Sequence, residues 1–153
     1  MRIHMGTDHA GFELKNHIAD HLRAHGHDVV DHGAHVYDAL DDYPAFCIAA
    51  AEAVLAEPDS LGVVIGGSGN GEQLAANRVS GIRAILAWSV ETAKLGRQHN
   101  GAQVVSVGAR MHTADEATAI VEAFINEPFS GDVRHQRRID EMLAYESKRD
   151  ARA

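Results

Sequence analysis

The chain has 153 residues, 45% hydrophobic and 24% charged, which suits one globular domain with its own core. The 22 acids against 14 bases give a formal charge of −8, which argues against a nucleic-acid partner or an anionic membrane surface but leaves small anionic ligands open wherever bases gather. No apolar run approaches the roughly 20 residues that span a bilayer, "MRIHMGTDHAG" lacks the apolar core of a signal peptide, and the one cysteine, Cys47, cannot form an internal disulfide, so a cytoplasmic setting is expected.

Strand-like and helix-like segments alternate along the whole chain. "RIHMGT" (2–7) reads as a first strand, followed by a helix with Leu14, Ile18 and Leu22 on one face and Gly26 as its stop. "HDVVDHG" predicts a second strand and "AHVYDALDDYP" a loop. Pro44 suits the first turn of an Ala-rich helix running to about Glu57. The apolar, β-branched "LGVVIG" predicts a strand buried on both faces. A Gly-rich loop and a helix follow, then "IRAILAW" (82–88) as a fourth strand, a helix near 89–98, and "AQVVSVG" as the fifth. Two helices close the chain, one with Ala117, Ile120, Val121 and Phe124 inward and one with Ile139, Met142 and Leu143. The alternation predicts an α/β fold, a three-layer αβα Rossmann-like sandwich around a five-stranded parallel sheet. One domain over 1–153 is expected, with the last positions of "YESKRDARA" frayed.

Such sheets bind ligands beyond the carboxyl ends of their strands. Four stretches are expected at that edge: "TDHAG" with Asp8 and His9, "GGSGNGE" with Ser68, Asn70 and Glu72, "GRQHNG" with His99 and Asn100, and "GARMH" with Arg110. Asp8 also suits a plain helix N-cap. The glycines of the second stretch allow close backbone approach to an anion. Gly67, Gly69 and Gly71 do not follow the dinucleotide G-x-G-x-x-G spacing, and the Lys-Ser/Thr ending of a nucleotide-phosphate loop is absent, so a nicotinamide-dependent oxidoreductase is disfavoured. Arg134 and Arg138, four apart in "RHQRR", share a helix face. His32 and His35 in "DHGAH" read as a solvated loop rather than a metal site, for want of further ligands.

"GTDHAG" (6–11), "DDYP" (41–44), "GGSGNG" (66–71), "AAN" (75–77), "HNGA" (99–102) and "RHQRRI" (134–139) together resemble, in order and spacing, the type B ribose-5-phosphate isomerases of the ribose/galactose sugar-phosphate isomerase family. The resemblance covers nearly the whole chain. It has one departure: many members carry a cysteine base where this chain has Gly66, and Cys47 lies outside that loop. The chain resembles the branch in which a glutamate after the loop, here Glu72, takes over.

The resemblance implies interconversion of ribose 5-phosphate and ribulose 5-phosphate through an enediolate, in the non-oxidative pentose phosphate pathway. It implies Glu72 as base, Asp8 and His99 in ring opening, and Ser68 with the backbone of Gly67, Gly69, Asn70 and Gly71 as an anion hole. Asn100 and Tyr43 would contact the sugar, and His9, Arg110, Arg134 and Arg138 the phosphate. Only protons move, so no cofactor and no metal is expected. The implied assembly is a homodimer, paired further in a tetramer as the alternative, with sites shared between subunits. The rival readings are an isomerase of a six-carbon aldose 6-phosphate, of allose or galactose type, and a non-catalytic sugar-phosphate sensor. At Glu72 two effects oppose: a helix N-terminus lowers a carboxyl pKa, whereas exclusion of water raises it.

Overall fold

The structure, a computed structural model, describes residues 1–152. Strand β1 (Arg2–Thr7) leads through a single 3-10 turn (His9–Gly11) into α1 (Phe12–Ala24), which buries Leu14, Ile18 and Leu22 and ends before Gly26 in a left-handed conformation. β2 (Asp28–Asp31) is followed by a long loop to α2 (Tyr43–Ala56), with Pro44 in its first turn. β3 (Leu61–Gly66) is buried at all 6 positions, as its unbroken apolar run requires. Then come α3 (Asn70–Ala76), β4 (Ala84–Leu86), α4 (Val90–Asn100), β5 (Val104–Gly108), α5 (Ala114–Asn126) and α6 (Val133–Asp150). Reciprocal capping boxes, Ser89 with Thr92 and Thr113 with Glu116, start α4 and α5.

All strand pairs are parallel, in the order β2-β1-β3-β5-β4. The chain winds outward from β1 to β2, then returns to build the other side from β3. The carboxyl ends of β1 and β3 therefore flank the point where the winding reverses, where α/β sheets open a crevice. One face of the sheet is covered by α1, α5 and Ala93 of α4, packed around Ile18, Ile65, Val105 and Phe124. The other is covered by α2 and α3 through Cys47, Ala50, Val54, Val64 and Ala76. α6 lies outside these layers against α4 and buries only His135 and Ile139.

Three local expectations change. The fourth strand is 3 residues long, not the span 82–88, because it is an edge paired with β5 alone; Asn77 covers part of that edge, its amide bonding both the N–H and the C=O of Ala84 at 2.8 and 2.9 Å. His32 is not solvated but half-buried, 2.9 Å from His4 across the β1–β2 pair. "GRQHNG" is the last turn of α4 rather than a loop, and because it precedes β5 it lies at the amino edge of the sheet, opposite to the edge expected. α6 runs to Asp150, with Ala151 and Arg152 in a turn, and Arg149 donates to Ser80 at 2.7 Å.

Candidate active site

The carboxyl ends of β1 and β3 are tied together by the Thr7 hydroxyl, which donates to the Ile65 carbonyl. Asp8 follows and caps the short turn, accepting from the Ala10 N–H at 2.9 Å. It is both the expected N-cap and a buried carboxylate at the crevice. The Gly-rich loop is clamped onto the end of β5. Gly66 C=O accepts from Ala109 N–H at 2.7 Å, Gly67 C=O from Arg110 N–H at 3.0 Å, and Gly69 C=O from the Ser106 hydroxyl at 2.7 Å. Gly69 has φ 84°, a left-handed conformation that favours glycine. Ser68 Oγ accepts from the backbone and side chain of Asn70 at 3.3 and 3.1 Å.

Glu72 sits in the first turn of α3 yet is only 4% exposed. Its carboxyl folds back against Gly66: a Cβ built on that glycine would coincide with the Glu72 carboxyl atoms. The absence of a side chain at Gly66 thus leaves room for the acid. Burial raises the Glu72 pKa above the usual carboxyl value, and the nearby charge of Asp8 adds to this; the backbone N–H groups of Glu72 and Gly69 oppose it. Burial therefore wins over the helix terminus, the competition that residue order leaves undecided. Cys47 lies close enough for Glu72 and Asp8 to raise its pKa too, though burial is the larger cause, so its thiol stays protonated and cannot serve as a thiolate base.

Three further expected residues close this crevice. Tyr43 at the start of α2 lies over Gly71, where an added Cβ would be 2.5 Å from the phenol oxygen. Arg110 lies over Gly67, its Nη1 3.0 Å from the corresponding point. His9 is half-buried, with its ring Nδ1 2.9 Å from Asp41 Oδ1, and the same oxygen accepts the His9 backbone N–H at 2.7 Å. The hydrogen bond to Asp41 is the main reason that the His9 pKa is raised. The sequence assigns Asp41 no role beyond its place in "DDYP", ahead of the start of α2.

Two trios could offer metal ligands, Asp8–His9–Asp41 in the crevice and His21–His25–Glu122 where α1 meets α5. In both, one nitrogen of each ring is already engaged. His9 pairs with Asp41, His21 Nε2 lies 2.7 Å from Glu122 Oε1, and His25 Nδ1 lies 2.8 Å from the His21 carbonyl.

The remaining expected residues form a second group elsewhere. His99 and Asn100 end α4, Arg134 and Arg138 lie on α6, and all four are exposed. The His99 ring stacks on buried His135 with centroids 4.3 Å apart, and His135 in turn meets the Ser130 hydroxyl at 3.0 Å. Asn100 and Arg138 line one depression together with Arg83 and Met142. β3 and β5, of 6 and 5 residues, separate this amino-edge group from Glu72 by about 17–20 Å. Within one chain the two groups do not meet.

The sequence profile of the Ribose/Galactose Isomerase family matches residues 3–142. Ribose-5-phosphate isomerase B of Mycolicibacterium paratuberculosis is 61% identical over 99% of this chain and 95% of that protein. Its counterpart from Mycobacterium tuberculosis is 59% identical over 99% and 93%. The crystal structure of ribose-5-phosphate isomerase B from Mycoplasma genitalium with bound ribulose-5-phosphate superposes with a TM-score of 0.90 at 41% identity, covering 95% of this chain and 96% of that one. On this sequence and this fold, the chain belongs to the ribose/galactose isomerase family, among its type B ribose-5-phosphate isomerases.

Proposed function

We propose that this protein interconverts ribose 5-phosphate and ribulose 5-phosphate, with Glu72 as the proton-transferring base. The reading rests on one observation above all: a buried carboxyl of raised pKa, lodged against Gly66 at the crevice between β1 and β3. Such a group is a stronger base than a solvated carboxylate and sits where this fold binds ligands.

The sugar first opens. Asp8 and His99 move a proton from the anomeric hydroxyl to the ring oxygen, work suited to an imidazole titrating near neutrality. Glu72 then takes the proton from carbon 2, and the electron pair forms the carbon 1–carbon 2 double bond of the enediolate. The Ser68 hydroxyl and loop amides, with Asn100, hold the developing charge on oxygen. Glu72 returns its proton to carbon 1 while the hydroxyl proton of oxygen 2 passes to oxygen 1. One carboxyl serves both carbons because they are neighbours. Tyr43 walls the sugar, and His9, Arg110, Arg134 and Arg138 hold the phosphate, the arginines through paired N–H donors.

His99, Asn100, Arg134 and Arg138 reach Glu72 only from a second copy of the chain, so the working unit is a homodimer with its sites at the interface. Val133, Met142 and Tyr145 support this: they leave α6 with an exposed apolar surface beside Arg138. No helix among the described residues is long and apolar enough to cross a membrane, and we place the enzyme in the cytoplasm. Formation of ribulose 5-phosphate from ribose 5-phosphate by the purified protein tests the reading. Rapid turnover that Glu72→Gln abolishes is expected, and a fully active Glu72→Gln protein would remove Glu72 as the base.

A further inference from the structure

Asp41 stands outside the machinery described so far, yet it meets His9 twice. Its Oδ1 accepts the His9 backbone N–H at 2.7 Å and faces ring Nδ1 at 2.9 Å, across 32 positions of sequence. Its side chain is 13% exposed. Its other oxygen, Oδ2, is buried and has no hydrogen-bond partner among the described residues. A carboxylate so poor in donors depends on a positive neighbour to offset its desolvation.

A carboxylate oxygen has no proton to give, so ring Nδ1 is the donor in this contact. Nε2 is then the only ring nitrogen left for a ligand, and it can donate only when the ring carries both protons. A neutral ring would present a lone pair to a phosphate oxygen and repel it.

We propose that Asp41 is a positioning residue for phosphate binding: by holding both the main chain and ring Nδ1 of His9, it fixes the ring so that Nε2–H is presented to the phosphate dianion of the sugar. The inference rests on the isomerase reading for the identity of the ligand, and on the hydrogen bonds alone for the pairing. The groups facing His9 agree with it. Asp41 from the loop before α2 and Asp8 from the end of β1 both favour the imidazolium, and Tyr37 packs edge-on against the ring at 6.5 Å. Substrate adds its own negative charge and strengthens the same preference.

The test compares wild type with Asp41→Asn, which keeps an acceptor in place and removes its charge. In substrate-free protein, the NMR titration midpoint of the His9 ring should fall in the variant and return in Asp41→Glu. For turnover, kcat should change less than about twofold, while the KM of the variant relative to wild type rises about tenfold at pH 8 and returns towards unity at pH 6. Binding of inorganic phosphate, followed on the His9 resonance, should weaken with the same pH dependence. An unmoved midpoint, or a KM ratio and a phosphate affinity that change equally at both pH values, would overturn the role. Should the wild-type protein not isomerise ribose 5-phosphate, the functional reading would fall alone, since the ring titration and the phosphate binding need no turnover.

Discussion

At the Glu72 end the two carboxyls are buried and the backbone is fixed within the chain: Asp8 caps a turn, Gly66 makes room for the acid, and the loop is clamped to the end of β5. Around His99 and Arg138, at the other end of the same strands, the expected functional groups are exposed, and Asn100 and Arg138 line a depression. The first cluster is preorganised within the chain and can tune a pKa by burial. The second is a set of exposed donors whose use depends on what docks against them. Under the proposed function the difference is a division of labour: the Glu72 end would carry the base, Asp8, His9 and Arg110, and the other end would offer His99, Asn100, Arg134 and Arg138 to a neighbouring copy.

The largest effect should come from breaking the buried end. Glu72→Gln is expected to lower kcat about 10³-fold with little change in KM, as removal of a general base does; steady-state kinetics reads both constants. Next comes the space beside it. Gly66→Ala puts a methyl where the carboxyl lies, so kcat should fall about 10²-fold through misplacement of an intact base, with the fold's circular dichroism unchanged. At the solvent-exposed end, Arg138→Ala should mainly raise KM, by about tenfold, while sparing kcat, because it removes a phosphate contact and not the chemistry. If Arg138→Ala instead lowered kcat as steeply as Glu72→Gln, the contrast between the two ends would be lost.

The smallest expected effect is on stability, and its sign follows from the raised Glu72 pKa. Below the usual carboxyl value the group is protonated both folded and unfolded and has no net effect. As pH rises past that value the unfolded chain ionises first, so the folded state loses stability until pH passes the raised folded-state value, and the loss is complete above it. Glu72→Gln should therefore raise Tm by a few degrees at pH 7.5 and by less near pH 4. The same shift places the acid limb of kcat/KM above the ordinary carboxyl range, since the base must be ionised to act.

Much of this was legible in residue order because local chemistry fixed it. The alternating apolar runs, Pro44 at the start of α2 and the glycines after β3 dictate elements and a strand-end crevice without reference to distant residues. The rest depends on through-space geometry. The placement of His99 turns on where α4 stops: the helix runs on to Asn100, which puts "GRQHNG" before β5 at the amino edge. The match of Gly66 to the Glu72 carboxyl is a matter of volume, and the Asp41–His9 pair joins residues 32 apart; neither has a local signature. Whether Glu72 is a strong or weak base likewise depends on burial, which no motif encodes.

The central claim, one site built from opposite ends of two copies, is tested most directly by mixing two inactive proteins. Glu72→Gln and His99→Ala each remove one half, and a hybrid dimer holds one site with both halves intact. Subunit exchange by mild denaturation and refolding should restore about a quarter of wild-type activity at an equal ratio, since half the dimers are hybrids and each has one working site. Mixing that restores nothing, although mass spectrometry shows hybrid dimers, would contradict the account and place His99 and Glu72 in the same chain's site.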